Sequence, residues 1–315
     1  MMEKPMDVLH LFPVRKNKQQ KQVFREAVSA YLRTLGYEPK EEKGGRGCCN
    51  LVFGDPENAK YLVTAHYDTC ARMPIPNFIT PCNFWAFMGY QLLMTCFMLL
   101  VPVLPGVLAG VLAGSKQVGF WVWYLCFWVT YALMLFGPGN RSNANDNTSG
   151  VVTVLEIAAA LPPEKRGDVC FVLFDLEEAG LIGSATHRKR YKKVTQNQIV
   201  LNLDCVGDGD EIVLFPTKKL SKDPDKLQLF ERLCAVQGHK SLSLHRKGFS
   251  VYPSDQRNFP FGLGIAAFHR GRHIGLYCGR IHTHRDTILE YENVEFLRNR
   301  LVHFLQTAVC REVSV

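Results

Sequence analysis

The stretch VCFVLFDLEEAG, Val169 to Gly180, runs six apolar residues straight into Asp175, Glu177 and Glu178. A short apolar run of this kind reads as a buried strand. Carboxylates placed directly after it stand together at the mouth of a sheet and repel one another. They need a counter-charge, which can be a lysine, an arginine or a metal.

Two more segments end in the same way. KYLVTAHYDT, Lys60 to Thr69, delivers His66 and Asp68, and QIVLNLD, Gln198 to Asp204, delivers Asp204. Between and around these strands lie helical patterns. KQQKQVFREAVSAYLRTL (Lys18 to Leu35) has apolar residues at helical spacing and Gly36 as a stop. SGVVTVLEIAAAL (Ser149 to Leu161) reads as a helix. Another is capped by Asp223, carries Pro224 in its first turn and runs to about Gln237, and Tyr291 to Cys310 forms the last. CCNLVFG and EIVLF read as strands, and GLGIAAFH as a loop leading into a strand. The alternation predicts an α/β three-layer sandwich around a mixed, largely parallel sheet, with ligands gathered at the carboxyl ends of strands.

Composition divides the chain further. Of 315 residues 47% are hydrophobic and 21% charged, yet between Arg72 and Arg141 the only charged residue is Lys116. Phe84 to Gly114 and Val118 to Phe136 are uncharged runs long enough to cross a bilayer, where about 20 residues suffice. GSKQ, Gly114 to Gln117, joins them as a turn, and Pro102 and Pro105 are expected to kink or end the first helix. The expectation is a transmembrane helical hairpin at 74–139, inserted into a globular domain made of 1–73 and 140–315. An even number of spans leaves both halves of that domain on one side. Arg72, Arg141 and the cluster HRKRYKK (His187 to Lys193) lie there against a single Lys116 opposite. The positive-inside bias places that side in the cytoplasm.

The eleven cysteines are odd in number and include no CxxC pair, which predicts reduced, buried thiols. No signal peptide is legible in the charged N-terminus. The formal charge of +8 is spread along the chain, and no nucleic-acid motif accompanies it. HRKRYKK reads as a solvated face, or as a contact with anionic headgroups.

Taken one at a time, the polar residues have ordinary explanations. His66 can be a hydrogen-bonded strand-end histidine, Asp146 a cap for the following helix, Glu177 and Glu178 the start of a helix. Asp204 can end a strand in a turn, and His282 can pair with Asp286. Together, HYDT (His66 to Thr69), NDNTSGV (Asn145 to Val151), DLEEAGLIGS (Asp175 to Ser184), NLDCVG (Asn202 to Gly207) and HTHRDT (His282 to Thr287) occur in a telling order. In that order they resemble the co-catalytic zinc aminopeptidases of the M28 family. The resemblance spans the first helix to the C-terminal helix, apart from the insert.

The resemblance implies the zinc exopeptidase fold and a role for each matched residue. His66 and Asp204 would hold one zinc, Glu178 and His282 the other, and Asp146 both. Asp68 would orient His66. Glu177 would be the general base toward the attacking water, passing its proton to the leaving amine. Two Zn2+ would offset the clustered carboxylates, with cobalt or manganese as alternatives. His284 competes with His282 in HTH, and His282 is preferred because it stands directly before Thr and four residues before Asp. PSDQRNF, Pro253 to Phe259, falls where relatives line the substrate pocket, and roles for Ser254, Asp255 and Gln256 stay open. The implied protein is a membrane-anchored exopeptidase, an aminopeptidase acting on a peptide or amide substrate. Alternatives are a glutaminyl cyclase-like acyltransferase, an N-acyl amino acid amidohydrolase, or an inactive scaffold. The hairpin is a plain anchor, or it also admits amphipathic or acylated substrates from the lipid bilayer. Oligomeric state is open.

Overall fold

The computed structural model describes residues 2–235, 238–246 and 248–310, with the side chains of 308–310 left out. Gln237, the expected end of one helix, and the Cys310 thiol lie outside the described part. The chain runs α1 (Asp7–Leu11), α2 (Lys18–Thr34), β1 (Lys40–Lys43), β2 (Cys49–Phe53) and β3 (Tyr61–His66). Three apolar helices follow: α3 (Phe84–Leu100), α4 (Val103–Leu112) and α5 (Lys116–Phe136). Then come α6 (Gly150–Ala160), β4 (Val169–Phe174), α7 (Ile182–Arg190), β5 (Ile199–Leu203) and β6 (Glu211–Pro216). The chain closes with α8 (Pro224–Ala235), β7 (Ser241–Leu244), β8 (Phe261–Gly271), β9 (Gly275–Tyr277) and α9 (Tyr291–Cys310).

The strands form one mixed sheet in the order β1-β2-β4-β3-β5-β8-β6-β7, with β9 on β8. The central four, β4-β3-β5-β8, are parallel, and antiparallel pairings flank them at β1/β2, β2/β4, β6/β8 and β8/β9. Period-two alternation sorts the side chains into two faces. Leu51, Phe53, Val63, Ala65, Phe171 and Leu201 join Phe24, Val28, Val154, Leu155 and Leu301 of α2, α6 and α9 in the main core. Val52, Leu62, Cys170, Val172, Phe174 and Val200 form a second, smaller core on the opposite face, with Phe259. The helix α2 is started by a capping box, Asn17 accepting from the Gln20 N–H while the Gln20 side chain accepts from the Asn17 N–H.

Two local expectations need correction, and one at Pro102 holds. GLGIAAFH is strand from Phe261 onward, with no loop before it. Its glycines serve close packing: a Cβ on Gly262 would sit 2.2 Å from the Gln256 carbonyl oxygen, and one on Gly264 would sit 2.7 Å from Gln256 Nε2. As expected, the first limb of the hairpin breaks at Pro102, which has no N–H to continue the α3 ladder, and it forms two helices. Pro105 is absorbed in the first turn of α4, where its N–H would be unsatisfied anyway. The joining turn ends earlier than expected, since Ser115 caps α5 and Lys116 begins it. The edge strands β1 (KEEK), β7 and β9 were not legible, being short and either charged or partly exposed.

The helices α3 to α5 do not join the sandwich core. Phe84–Leu112 and Lys116–Phe136 are each long and apolar enough to cross a membrane, and 11% and 0% of their most apolar windows are buried. Trp85 is 81% exposed and Leu112 79%. These are not the covered helices of a soluble core. The limbs meet through α4 and α5, where Gly106 and Gly110 lie against Gly119; a Cβ on Gly119 would stand 2.9 Å from the Gly106 carbonyl oxygen. At the base the two feet are clasped in antiparallel fashion. Ala71 bridges Gly139, the Arg72 N–H donates to the Pro138 carbonyl at 2.9 Å, and the Asn140 N–H donates to the Cys70 carbonyl at 3.0 Å. The neck is fixed further by the Tyr90 hydroxyl on the Pro76 carbonyl and Asn83 Nδ2 on the Ile274 carbonyl.

Candidate metal centre and active site

The sheet order decides the site. Strands β4, β3 and β5 are adjacent and parallel, with His66 level with Phe174 and Thr64 level with Asn202. Their carboxyl ends therefore release His66–Asp68, Asp175–Glu178 and Asp204 side by side. The segment before α6 adds Asp146, whose peptide bond to Asn147 is cis. The segment before α9 adds His282, which adopts φ +64°.

Asp146 stands between the two histidines. Its Oδ1 is 3.3 Å from His66 Nε2 and its Oδ2 is 3.0 Å from His282 Nε2. Asp204 Oδ1 is 3.6 Å from His66 Nε2, and Glu178 Oε2 is 3.4 Å from His282 Nε2. Three sets of potential metal ligands have donor atoms within 4.8 Å of one another: His66, Asp146 and Asp204; Cys70, Glu178 and His282; His66, Glu177 and Glu178. His284 is exposed and joins none of them.

The surroundings hold these side chains in place. His66 turns Nδ1 toward Asp68, 3.2 Å from its carbonyl oxygen and 3.5 Å from Oδ1, and leaves Nε2 for the cluster. The Asp68 carboxylate also accepts the Glu177 and Glu178 N–H groups, at 3.0 and 3.2 Å, so it fixes strand end and loop together. Asp286 does not pair with His282. Its oxygens accept the Asn145 and Asp146 N–H groups at 2.7 and 3.0 Å and hold the loop that presents Asp146. Asn145 Oδ1 accepts from Gly207 and Asp208, tying the same loop to the segment after β5.

Asp175 departs from the expectation that metal offsets the whole carboxylate run. It is fully buried, its counter-charge is Lys21 of α2 at 2.8 Å, and its other oxygen accepts the Cys49 N–H at 3.0 Å. The opening question thus has two answers: a lysine for Asp175, and a separate cluster for Glu177 and Glu178. Ser254 and Gln256 both accept from Asn202 Nδ2, at 2.9 and 3.1 Å, and brace β5. Asp255 between them is fully buried, and its negative charge helps to raise Glu177.

The crowding shows in proton affinities. Burial raises the Glu177 carboxyl well above its ordinary value, against the pull of His66. Burial likewise raises Glu178 to about 7, with His282 pulling the other way. Burial works against protonation of His282, but Glu178 and Asp146 outweigh it and carry the ring up to about 9. Asp146 is held well below the carboxylate range, since bonds from His282 and His66 overcome its burial. Arg15, also fully buried, donates to the Tyr67 and Phe12 carbonyls and to Thr148, and burial lowers it to about 10 while Asp68 and Asp146 oppose the shift.

Sequence reading missed Cys70, Arg15, Lys21, and the clamp made by Asn145 and Asp286. Cys70 directly follows HYDT, and Asn145 and Asp286 lie inside quoted motifs, so their positions were in view while their partners were not. Arg15 and Lys21 carry no local signal of a role at the site, because Tyr67, Thr148 and Asp175, the partners that tie them to it, are 52 to 154 residues away.

An α/β sandwich with histidines and carboxylates at the ends of adjacent parallel strands has the fold of the zinc-dependent exopeptidases and their structural kin. A Zn-dependent exopeptidase from Parabacteroides distasonis is similar at TM-score 0.60 and 13% identity, over 96% of both chains. A glutaminyl cyclase from Tannerella forsythia is similar at TM-score 0.60 and 13% identity, over 96% of this chain and 97% of that one. LapA from Legionella follows at TM-score 0.58 and 14% identity, over 96% and 70%. At such identities the likeness shows the fold. No curated protein matches the sequence. Residues 129–301 match the profile of peptidase family M28, more than half of the chain, and the chain belongs to that family. The matched part holds Asp146, Glu177, Glu178, Asp204 and His282, while His66 and Asp68 lie before it.

Proposed function

We propose that the protein is a membrane-anchored di-zinc exopeptidase, an aminopeptidase whose general base is Glu177. The observation that carries this reading is the position of Asp146, one oxygen facing His66 and the other facing His282. The donor set suits zinc, being imidazole nitrogen and carboxylate oxygen at each end. Glu178 Oε1 and Asp204 Oδ1 are buried with no hydrogen-bond partner among the described residues, which fits oxygens reserved for a cation. His66, Asp146 and Asp204 would hold one ion, and Asp146, Glu178 and His282 the other. When bound, the ions would polarise the scissile carbonyl and make water acidic enough to attack near neutral pH.

The rest falls to the chain itself. Asp68 keeps the proton of His66 on Nδ1 and so leaves Nε2 free as a ligand atom. Glu177 is half-buried beside His66, and the Asp68 bond to its N–H sets where its carboxylate starts. From there it takes the proton of the attacking water and returns it to the leaving amine. Hydrolysis adds one water across the C–N bond and releases a carboxylate and an amine. The helices α3 to α5 are assigned as the membrane anchor, 74–139, with the sandwich of 1–73 and 140–315 on the cytoplasmic side.

A glutaminyl cyclase reading is favoured by the equal fold likeness to the Tannerella enzyme. Metal analysis with a turnover panel separates the two. The peptidase reading expects about two zinc ions per purified chain and release of N-terminal residues from aminoacyl amides. About one zinc, with cyclisation of N-terminal glutamine and no peptide cleavage, would replace it.

A further inference from the structure

A cleft of about 530 Å³ joins the candidate metal centre to the base of the hairpin. One wall holds Asp68, Glu178 and His282. The facing wall is the last turn of α5, Met134, Leu135 and Phe136, continued by Met73, Ala71 and Val14. The cleft also contains Lys16, Asn17 and Gln20, but each is already engaged. Lys16 Nζ donates to the Leu135 carbonyl at 3.0 Å and so caps α5, while Asn17 and Gln20 bond each other in the capping box. The lining that α5, Met73, Ala71 and Val14 add to these polar groups is apolar. It runs out through Phe136, 79% exposed, onto a helix with no charged residue from Val118 to Phe136.

Given the amide-hydrolysing site proposed above, we infer that the substrates carry a long alkyl chain, which lies along the last turn of α5 toward the bilayer while the amide reaches Glu178 and His282. A short soluble dipeptide leaves this apolar lining uncovered. An alkyl chain satisfies it by burying apolar surface. The chain can be attached on either side of the scissile bond.

The test uses the full-length, zinc-loaded protein in lipid nanodiscs. Two pairs of substrates are compared: alanyl-ethylamide with alanyl-dodecylamide, and N-acetylalanine with N-dodecanoylalanine. The expected result is a kcat/KM at least tenfold higher for the twelve-carbon member of one pair, and the pair that responds tells which side bears the chain. Partition into the disc alone could raise that value, so Phe136→Asn is measured in parallel. It is expected to lower the twelve-carbon value at least fivefold more than the two-carbon value. Hydrolysis with equal kcat/KM for short and long members overturns the inference and leaves the peptidase reading standing. Equal effects of Phe136→Asn on both members also overturn it. No hydrolysis of any member overturns the peptidase reading and the inference together.

Discussion

Asp286 aims Asp146. The carboxylate of the first accepts the backbone N–H of the second at 3.0 Å and that of Asn145 at 2.7 Å, so the acid facing both histidines is placed by an acid that touches neither. Removing one acceptor oxygen should loosen the Asp146 loop without emptying the core. Asp286→Asn is expected to weaken zinc binding by about 10–100-fold, the usual range for a group supporting a metal ligand. Competition with a chelator, read against unchanged circular dichroism, checks this. Wild-type zinc affinity in the variant would show that the clamp does not position Asp146.

Glu177→Gln keeps the shape and the Asp68 hydrogen bond to the backbone but removes the base. The variant is expected to retain its metal content and lose about 10²–10⁴-fold in kcat, with KM changed by less than about threefold. Full kcat in a metal-replete sample would assign the proton transfer elsewhere.

Stripping metal should make stability fall with rising pH. In the metal-free site burial raises Glu178 to about 7 and Asp286 to about 8. A carboxyl raised in the folded state holds its proton there longer than in the unfolded chain. Stability is therefore lost as pH climbs from the ordinary carboxylate range to those folded values. The melting temperature of chelator-treated protein is expected to drop by several degrees between pH 5 and pH 8. Saturating zinc is expected to flatten the slope by removing the Glu178 share, because a bound carboxylate is ionised throughout. A flat profile without metal would contradict the crowding described here.

The Lys21–Asp175 pair is a stability element separate from catalysis. Both side chains are nearly or fully buried, and removing one leaves the other charged without a partner. Lys21→Met is expected to cost about 3–5 kcal/mol. Adding Asp175→Asn should recover part of that, since the stranded charge is then gone. Chemical denaturation of the single and double variants measures both effects.

The helices α3 to α5 should keep the protein with the membrane through alkaline carbonate washing, and deletion of 74–139 should release it to the supernatant. Extraction of the intact chain by carbonate alone would count against the anchor.

Much of this arrangement was legible in the sequence because the signals are local. The short apolar runs around Leu62, Val172 and Leu201 read as strands whatever their neighbours are, and each ends in the polar residues that now stand together. Strand order is a different matter. Nothing in KYLVTAH says that it lies between β4 and β5, and only the recurrence of five motifs in one order brought His66 toward His282. Partners across long separations were out of reach, as Lys21 and Asp175 show: each side chain has many admissible partners, and only packing selects one. The short edge strands were missed because KEEK buries a single residue, Glu42, and Glu42 is buried for its bond with His187 at 3.0 Å. That bond also takes His187 out of the basic cluster, whose Lys189, Arg190, Lys192 and Lys193 remain exposed.

The position of β3 sets a timetable for biosynthesis. Its two neighbours, β4 and β5, are both encoded after the hairpin, and no earlier strand pairs with it. A ribosome making residues 67–174, up to the end of β4, works for on the order of ten seconds at common elongation rates. Through that interval the emerging segment Tyr61–His66, all six residues of which end up buried, has no edge to join. The centre of the sheet thus waits on strands encoded beyond the apolar helices, and an unpaired apolar strand is carried while those helices are being made.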